Sequence, residues 1–196
     1  LDAIVAPSAV EPIADLREFG DLPVTVTKMV IGTTNAYLFD SNAGQVIAVS
    51  LATGEKQVVY TEDEVTGRTR PVTITLAENE GLGGETVLVA SAASKLWAFT
   101  PGIGLRELPF ARPDGMTMSD MAVQGSSLFV LDANAATISR FHPSGDGFGS
   151  APAVVADDPK LAAGRRLYAG EDEFVTSDAD GALHWFSEGV AIELAQ

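Results

Sequence analysis

The sequence predicts an all-β protein built from about four four-stranded antiparallel units. Three observations carry this prediction: short runs that alternate apolar and polar residues, glycine-containing turns between the runs, and one hairpin pattern that recurs along the chain. No stretch carries a long helical period, and the best helical candidate, Asp157 to Ala163, is short. The elements are therefore expected to be strands almost throughout.

The repeat consists of four hairpins that can be laid over one another. Each has a β-rich run, a small or polar turn, and a second alternating run; they cover residues 36–49, 86–99, 127–141 and 173–186. If Val46, Leu96, Ile138 and Leu183 are equivalent, the repeats are 50, 42 and 45 residues apart. A period in this range indicates a repeat architecture.

Flanking runs extend each hairpin to four strands. The runs before the hairpins are Val24–Ile31, Pro71–Leu76, Met118–Val123 and Arg166–Ala169. The runs after them are Gln57–Tyr60, Leu105–Phe110, Ala153–Ala156 and Val190–Leu194. The predicted units are residues 24–64, 65–115, 116–164 and 165–196, preceded by a leader or linker over 1–23 that donates at most one strand, through Ile13 to Phe19.

Four antiparallel strands in about 43 residues are typical of a β-propeller blade, because one small sheet cannot bury both of its faces unless it stacks on neighbours. The pattern Leu-Phe-Val-Leu-Asp-x-Asn at Leu128–Asn134 and the run Leu-Ala-Thr-Gly-Glu at Leu51–Glu55 resemble bacterial β-propellers with NHL, YVTN and pyrroloquinoline-quinone-like repeats. The resemblance covers about residues 24–196 and implies the architecture without naming a subfamily.

Four blades are at the lower limit for a propeller. The chain is therefore expected to be a partial propeller, with a closed four-bladed ring as the alternative. An open arc would expose apolar faces, so a second copy that completes the ring is a candidate partner.

Composition restricts the function classes. The 196 residues carry 12 basic and 27 acidic side chains, a net charge of −15, which argues against nucleic acid as a partner. The absence of cysteine excludes disulfides, thiolate metal sites and cysteine nucleophiles. No apolar run is long enough for a membrane span. The chain begins at Leu1, so a piece of a longer protein is expected, with an extracytoplasmic location favoured over a cytoplasmic one.

Three blade turns carry oxygen ligands at one recurring position. The residues are Asp40, Asn42, Asp132, Asn134, Asp178 and Asp180. Clustered carboxylate and amide oxygens suit calcium, which makes these residues weak candidates for a metal site. The full ligand series of a calcium loop is missing, so the favoured interpretation is that they cap turns through local backbone N–H groups, and no cofactor is expected.

Histidines, tryptophans and arginines supply the remaining candidates. His142 and His184 lie in neighbouring units but lack the further ligands that a metal site needs. Trp97 and Trp185 could stack on a sugar or a quinone, although packing between blades explains them more simply. Long loops between the first two units make Arg68 and Arg70 the residues expected to face a partner.

No catalytic motif is recognisable, so the sequence favours a non-catalytic interaction or sensor module within a larger bacterial protein. Two alternatives stay open: a metal- or quinone-dependent propeller enzyme with its site on the axis, and a domain whose role is self-assembly.

Overall fold

The chain forms four four-stranded antiparallel sheets arranged as a four-bladed β-propeller. The computed structural model describes residues 12–17, 23–79, 82 and 84–192. Blade 1 contains β1 (Val26–Ile31), β2 (Asn35–Asp40), β3 (Gln45–Ser50) and β4 (Lys56–Thr61). Blade 2 contains β5 (Pro71–Asn79), β6 (Gly84–Ser91), β7 (Leu96–Thr100) and β8 (Gly104–Leu108). Blade 3 contains β9 (Asp120–Gln124), β10 (Ser127–Asp132), β11 (Thr137–Phe141) and β12 (Ala153–Asp157). Blade 4 contains β13 (Arg166–Ala169), β14 (Glu173–Ser177), β15 (Leu183–Ser187) and β16 (Val190–Ile192).

The predicted all-β architecture is confirmed, and the four predicted hairpins are the central strand pairs of the four blades. In every blade the strands follow sequence order, so the first strand of each blade lies innermost. The short helical candidate is a 3-10 helix over Pro159–Ala163, capped by the Asp158 side chain, which accepts the Lys160 N–H at 2.8 Å. Residues 12–17 contain no strand; Glu18 and Phe19, the end of the predicted leader strand, lie outside the described residues.

Strand alternation supplies the contacts between blades. On β6, Val87 and Val89 point to blade 1, while Leu88 and Ala90 point to blade 3. A blade in the middle of the series is therefore apolar on both faces, because each face meets a neighbour. This explains the near-continuous apolar run of residues 87–90.

Three apolar clusters join successive blades. The cluster between blades 1 and 2 includes Tyr60 and Trp97, whose rings meet edge to face at 6.1 Å. The cluster between blades 3 and 4 includes Phe129 and Phe174, with ring centroids 5.2 Å apart. A third cluster joins blades 2 and 3 through Leu88 and Phe141. Among the described residues, no buried apolar cluster joins blade 4 to blade 1.

Candidate functional site

Asp120 binds all four blades together at the propeller axis. Its side chain is fully buried at the start of β9. Oδ1 accepts from Lys28 Nζ of blade 1 at 2.5 Å and from the Thr73 hydroxyl of blade 2. Oδ2 accepts the backbone N–H of Leu167, in blade 4, at 2.8 Å. Donors from every other blade thus bind this one carboxylate, and their hydrogen bonds offset the cost of burying its charge.

Lys28 occupies the partner position in this network. Besides Asp120, its ammonium donates to the Met121 carbonyl at 3.0 Å and to the Thr73 hydroxyl oxygen at 3.3 Å, so all three of its donors have acceptors. Burial lowers the pKa of Lys28, the Asp120 carboxylate opposes that shift, and the nearby Arg166 lowers the pKa further. The Lys28–Asp120 pair therefore links the blades, and neither group is left free to act as a cationic binding group or as a base.

A cavity of about 390 Å³ lies beside this network and is lined by the innermost strands of all four blades. The lining consists of residues 27–30, 75, 120–123 and 166–169. Arg166 reaches across it from blade 4, donating from Nη2 to the Thr27 carbonyl of blade 1 and from Nη1 to the Arg165 carbonyl at 3.0 Å. The first and last blades therefore meet at the axis through one polar side chain.

Beside this polar contact, the first and last blades leave apolar side chains exposed on the faces that point toward each other. Tyr168, Val175, Trp185 and Ile192 form one cross-strand row on the outer face of blade 4. Tyr168, Trp185 and Ile192 in this row are exposed, as are the flanking residues Leu183 and Val190. On blade 1, Met29 and Ile31 are exposed on the face that points away from blade 2. We call the region between Tyr168, Leu183, Trp185 and Ile192 of blade 4 and Met29 and Ile31 of blade 1 the seam.

Residues 12–16 cover part of the blade 1 side. Ala14 and Leu16 pack against Leu38, Ile47 and Val49. Lys56 Nζ donates to the Asp15 carbonyl at 2.7 Å. At Gly54, whose φ is +71°, an added Cβ would lie 2.2 Å from the Ile13 carbonyl oxygen, so the segment approaches this turn more closely than any other residue type permits.

The turn residues singled out as weak metal candidates lie in three different blades. Asp40 Oδ1 accepts the backbone N–H groups of Asn42 and Ala43 at 3.0 and 3.3 Å. Asp132 makes the same pair of bonds to Asn134 and Ala135.

Asp178 Oδ1 likewise accepts the N–H groups of Asp180 and Ala182, both at 2.9 Å. These hydrogen bonds lower the pKa of Asp178. The three carboxylates therefore stabilise their own turns, and within the described ranges no cluster of three metal-ligating side chains forms.

Arg68 and Arg70, the predicted partner-facing residues, are held by contacts within the protein. Arg68 donates to Asp63 at 2.8 Å, and its guanidinium carbon lies 6.0 Å from the Trp97 ring centroid. Arg70 donates to the carbonyls of Ser41 and Asn42 in blade 1. Both arginines thus bind groups beside the junction of blades 1 and 2, although Arg70 remains exposed.

The expectation that both tryptophans pack between blades holds for Trp97 and is wrong for Trp185. Trp97 is 7% exposed and lies in the cluster between blades 1 and 2. Trp185 is 36% exposed on the seam. The repeat alignment pairs Trp97 with His184, so Trp185 falls one residue later and its side chain points to the opposite face of its sheet.

Sequence reasoning did not single out Lys28, Asp120 or Arg166 as site residues. All three lie on the first strand of a blade, which is the strand that lines the axis. A charged residue on the innermost strand of three separate repeats is a usable signal, since that strand has the least access to water.

Comparison with solved structures supports the fold. No protein-family model matches the sequence, and no curated protein matches it either. The chain is similar to a chain of a nidogen/laminin complex, with a TM-score of 0.58 and 16% identity over 79% of this chain and 57% of that one. It is also similar to a catalytically inactive virginiamycin B lyase of Staphylococcus aureus solved with quinupristin, with a TM-score of 0.56 and 14% identity over 87% of this chain and 58% of that one.

The computationally designed protein Ika4 gives a TM-score of 0.60 at 12% identity, covering 91% of this chain and 99% of Ika4. The chain thus spans less than two thirds of the nidogen/laminin and lyase chains and nearly all of the designed one. None of the helices in the described ranges has the length and apolar character needed to cross a membrane. At these identities the comparisons establish a β-propeller fold and leave its activity to be inferred from the site.

Proposed function

We propose that the chain is a non-catalytic interaction module that binds a partner protein in the seam between its fourth and first blades. The observation that supports this proposal most strongly is the exposure of Leu183 and Trp185 on blade 4. Their equivalents in blade 2, Leu96 and Ala98, are fully buried against blade 3. Leu183 and Trp185 occupy the same face of their blade, and among the described residues no buried apolar cluster covers that face.

An exposed apolar face of this kind supports binding, because monomeric soluble proteins seldom leave large contiguous apolar patches uncovered. The seam also has two walls, since the exposed Met29 of blade 1 and Tyr168 of blade 4 line the same cavity, and Ile31 and Trp185 are exposed on the same faces of their blades. A partner that enters it can bury apolar surface on both sides, at about 25 cal/mol for each Å² removed from water.

The occupant we propose is an extended, largely apolar segment of a partner protein. The molecule itself supplies the precedent, since residues 12–16 lie on the outer face of blade 1 and pack the partly buried Ala14 and Leu16 against it. The fourth blade presents the same kind of surface, a sheet face with an apolar row at its centre. Aromatic residues such as Tyr168 and Trp185 are characteristic anchors of protein interfaces.

A binding role is also supported by the chemistry of the axis. Lys28 and Asp120 are bonded to each other and to neighbouring groups, an arrangement that suits tying strands together. The residues that face the seam are mainly apolar, and apolar walls suit recognition of a segment rather than transfer of a proton.

The test is a selection of displayed peptides on the full chain, with counter-selection against the variant Leu183→Ser. We expect apolar peptides that bind the wild-type chain and bind Leu183→Ser at least about tenfold more weakly, since a buried leucine contributes about 1.5–3 kcal/mol. Ile103→Ser is the matched control, because Ile103 and Leu183 are both 64% exposed but Ile103 lies on a turn of blade 2.

Peptides that bind Leu183→Ser and wild type equally well would contradict the proposal. Sedimentation of the purified chain tests the self-assembly alternative: a dimer abolished by Leu183→Ser would identify a second copy as the occupant and overturn the proposed partner. Stoichiometric metal by elemental analysis, or a bound quinone by absorption, would favour an enzyme instead.

A further inference from the structure

We propose that the segment entering the seam carries a carboxylate, and that Arg166 binds this carboxylate at the inner end of the seam. The inference rests on the proposed function for the place of binding and adds the chemical class of the ligand. It is carried by the hydrogen bonding of Arg166, the charges around the cavity and the continuity between cavity and seam.

Arg166 has unused N–H donors and, among the described residues, no anionic partner. A guanidinium has five N–H donors. Arg166 uses one on the Thr27 carbonyl and one on the Arg165 carbonyl. Among the described parts of the chain, no ion pair joins Arg166 to a carboxylate. Its planar fork therefore remains able to bind a carboxylate through two hydrogen bonds, the geometry for which arginine is best suited.

The cavity carries an excess of positive charge. Lys28 and Arg166 line it together with one carboxylate, that of Asp120, whose oxygens already accept bonds from three blades. Arg166 is close enough to Lys28 to disfavour its charged form. A bound anion would offset this repulsion. In a chain with a net charge of −15, such a locally cationic cavity is a feature that selects for one kind of ligand.

The surroundings of Arg166 define the rest of the ligand. Met29 and Tyr168 line the cavity and also stand on the two walls of the seam. Met29 further lines an apolar groove beside residues 12–16, so cavity and apolar surface are continuous. The ligand that fits is a carboxylate joined to an apolar or aromatic group, as in an acidic side chain beside a large apolar one or the C-terminal carboxylate of an apolar segment. A cavity of about 390 Å³ has room for such a group.

The test uses two small probes that differ in charge alone as far as chemistry allows, 4-phenylbutyrate and 4-phenyl-1-butanol. Binding to the full chain is measured by titration calorimetry. We expect the carboxylate to bind wild type at least about tenfold more tightly than the alcohol, because hydrogen bonds to charged groups contribute more than neutral ones. Arg166→Gln should remove this preference, and Arg165→Gln, at the exposed neighbouring position, should retain it.

Equal binding of acid and alcohol, an unchanged preference in Arg166→Gln, or no binding of the acid to wild type would each overturn the inference. These outcomes are distinguishable from failure of the proposed function. If selected peptides bind the seam and lose affinity in Leu183→Ser but not in Arg166→Gln, the interaction module stands and the carboxylate requirement falls. If no selected peptide depends on Leu183, the proposed function falls.

Discussion

Lys28 Nζ lies 2.5 Å from Asp120 Oδ1, so an ion pair across 92 residues of sequence joins blade 1 to blade 3 through the propeller axis. Thr73 and the Leu167 N–H bring blades 2 and 4 to the same carboxylate. Lys28 is largely and Asp120 fully shielded from water, which distinguishes this pair from the exposed pairs elsewhere on the protein.

Asp120→Asn should destabilise the protein strongly. The substitution keeps the shape of the side chain but leaves the buried Lys28 ammonium without its counter-charge, and breaking a buried pair in this way costs about 3–5 kcal/mol. Denaturant unfolding measures the effect. Asp146→Asn removes the exposed partner of Arg106 and should change the free energy of unfolding by no more than about 0.5 kcal/mol. Equal effects of the two variants would show that Asp120 is not the tie between blades.

Glu85 should make folding stability sensitive to acid. Burial raises the pKa of Glu85, but hydrogen bonds from Thr33, Thr34 and Tyr37 outweigh burial and lower the pKa to about 2. The unfolded chain, with an ordinary glutamate pKa of about 4.5, takes up the proton first as pH falls. The contribution of Glu85 is therefore fully present above about pH 4.5 and is lost between there and about pH 2.

Glu85→Gln should reduce the slope of unfolding free energy against pH within that window. Thr33→Val, which removes one of the donors, should reduce the slope by a smaller amount. Urea unfolding at a series of pH values supplies the slopes, and a Glu85→Gln variant with the wild-type slope would refute the assignment.

Gly32→Ala should disturb the same connection between blades 1 and 2. A Cβ at Gly32 would lie 2.4 Å from the Glu85 carboxyl carbon. The carboxylate cannot swing away without giving up its bonds to Thr33 and Thr34, so we expect a loss of about 1–3 kcal/mol. In the double variant Gly32→Ala/Glu85→Ala the clash is absent, so its loss of unfolding free energy should be smaller than the sum of the two single losses. A double variant whose loss equals that sum would contradict the explanation.

Gly54→Ala should loosen residues 12–16 from blade 1. Both Gly54 and Gly67 have φ near +70°, so alanine is strained by a similar amount at either position. Only at Gly54 would the new Cβ meet the Ile13 carbonyl; at Gly67 nothing lies within 4 Å. Tryptic cleavage after Arg17 should therefore become several-fold faster in Gly54→Ala than in Gly67→Ala. Similar cleavage rates in the two variants would mean that the turn does not hold the segment.

The blade pattern could be predicted from the sequence because it is local. In β6, alternate residues serve two neighbouring blades, and this requirement is visible in the run Val87–Ala90 itself. The Asp120 network could not be predicted, since its members come from four repeats and no local spacing relates them. The exposure of the seam could not be predicted for a different reason. The strand Leu183–Ser187 has the composition of a buried strand such as Leu96–Thr100. Whether its second face is covered depends on a neighbouring blade, which the local sequence does not show.

The most direct test of the open seam is the environment of Trp185. In Trp97→Phe, Trp185 is the only remaining tryptophan, so its fluorescence reports the seam alone. With Trp185 36% exposed, we expect red-shifted emission that acrylamide quenches readily, whereas Trp185→Phe, which leaves the 7% exposed Trp97, should give blue-shifted and protected emission. Emission from Trp185 that is blue-shifted and resistant to acrylamide in the isolated chain would show that blade 4 packs on a neighbour and that the seam is closed.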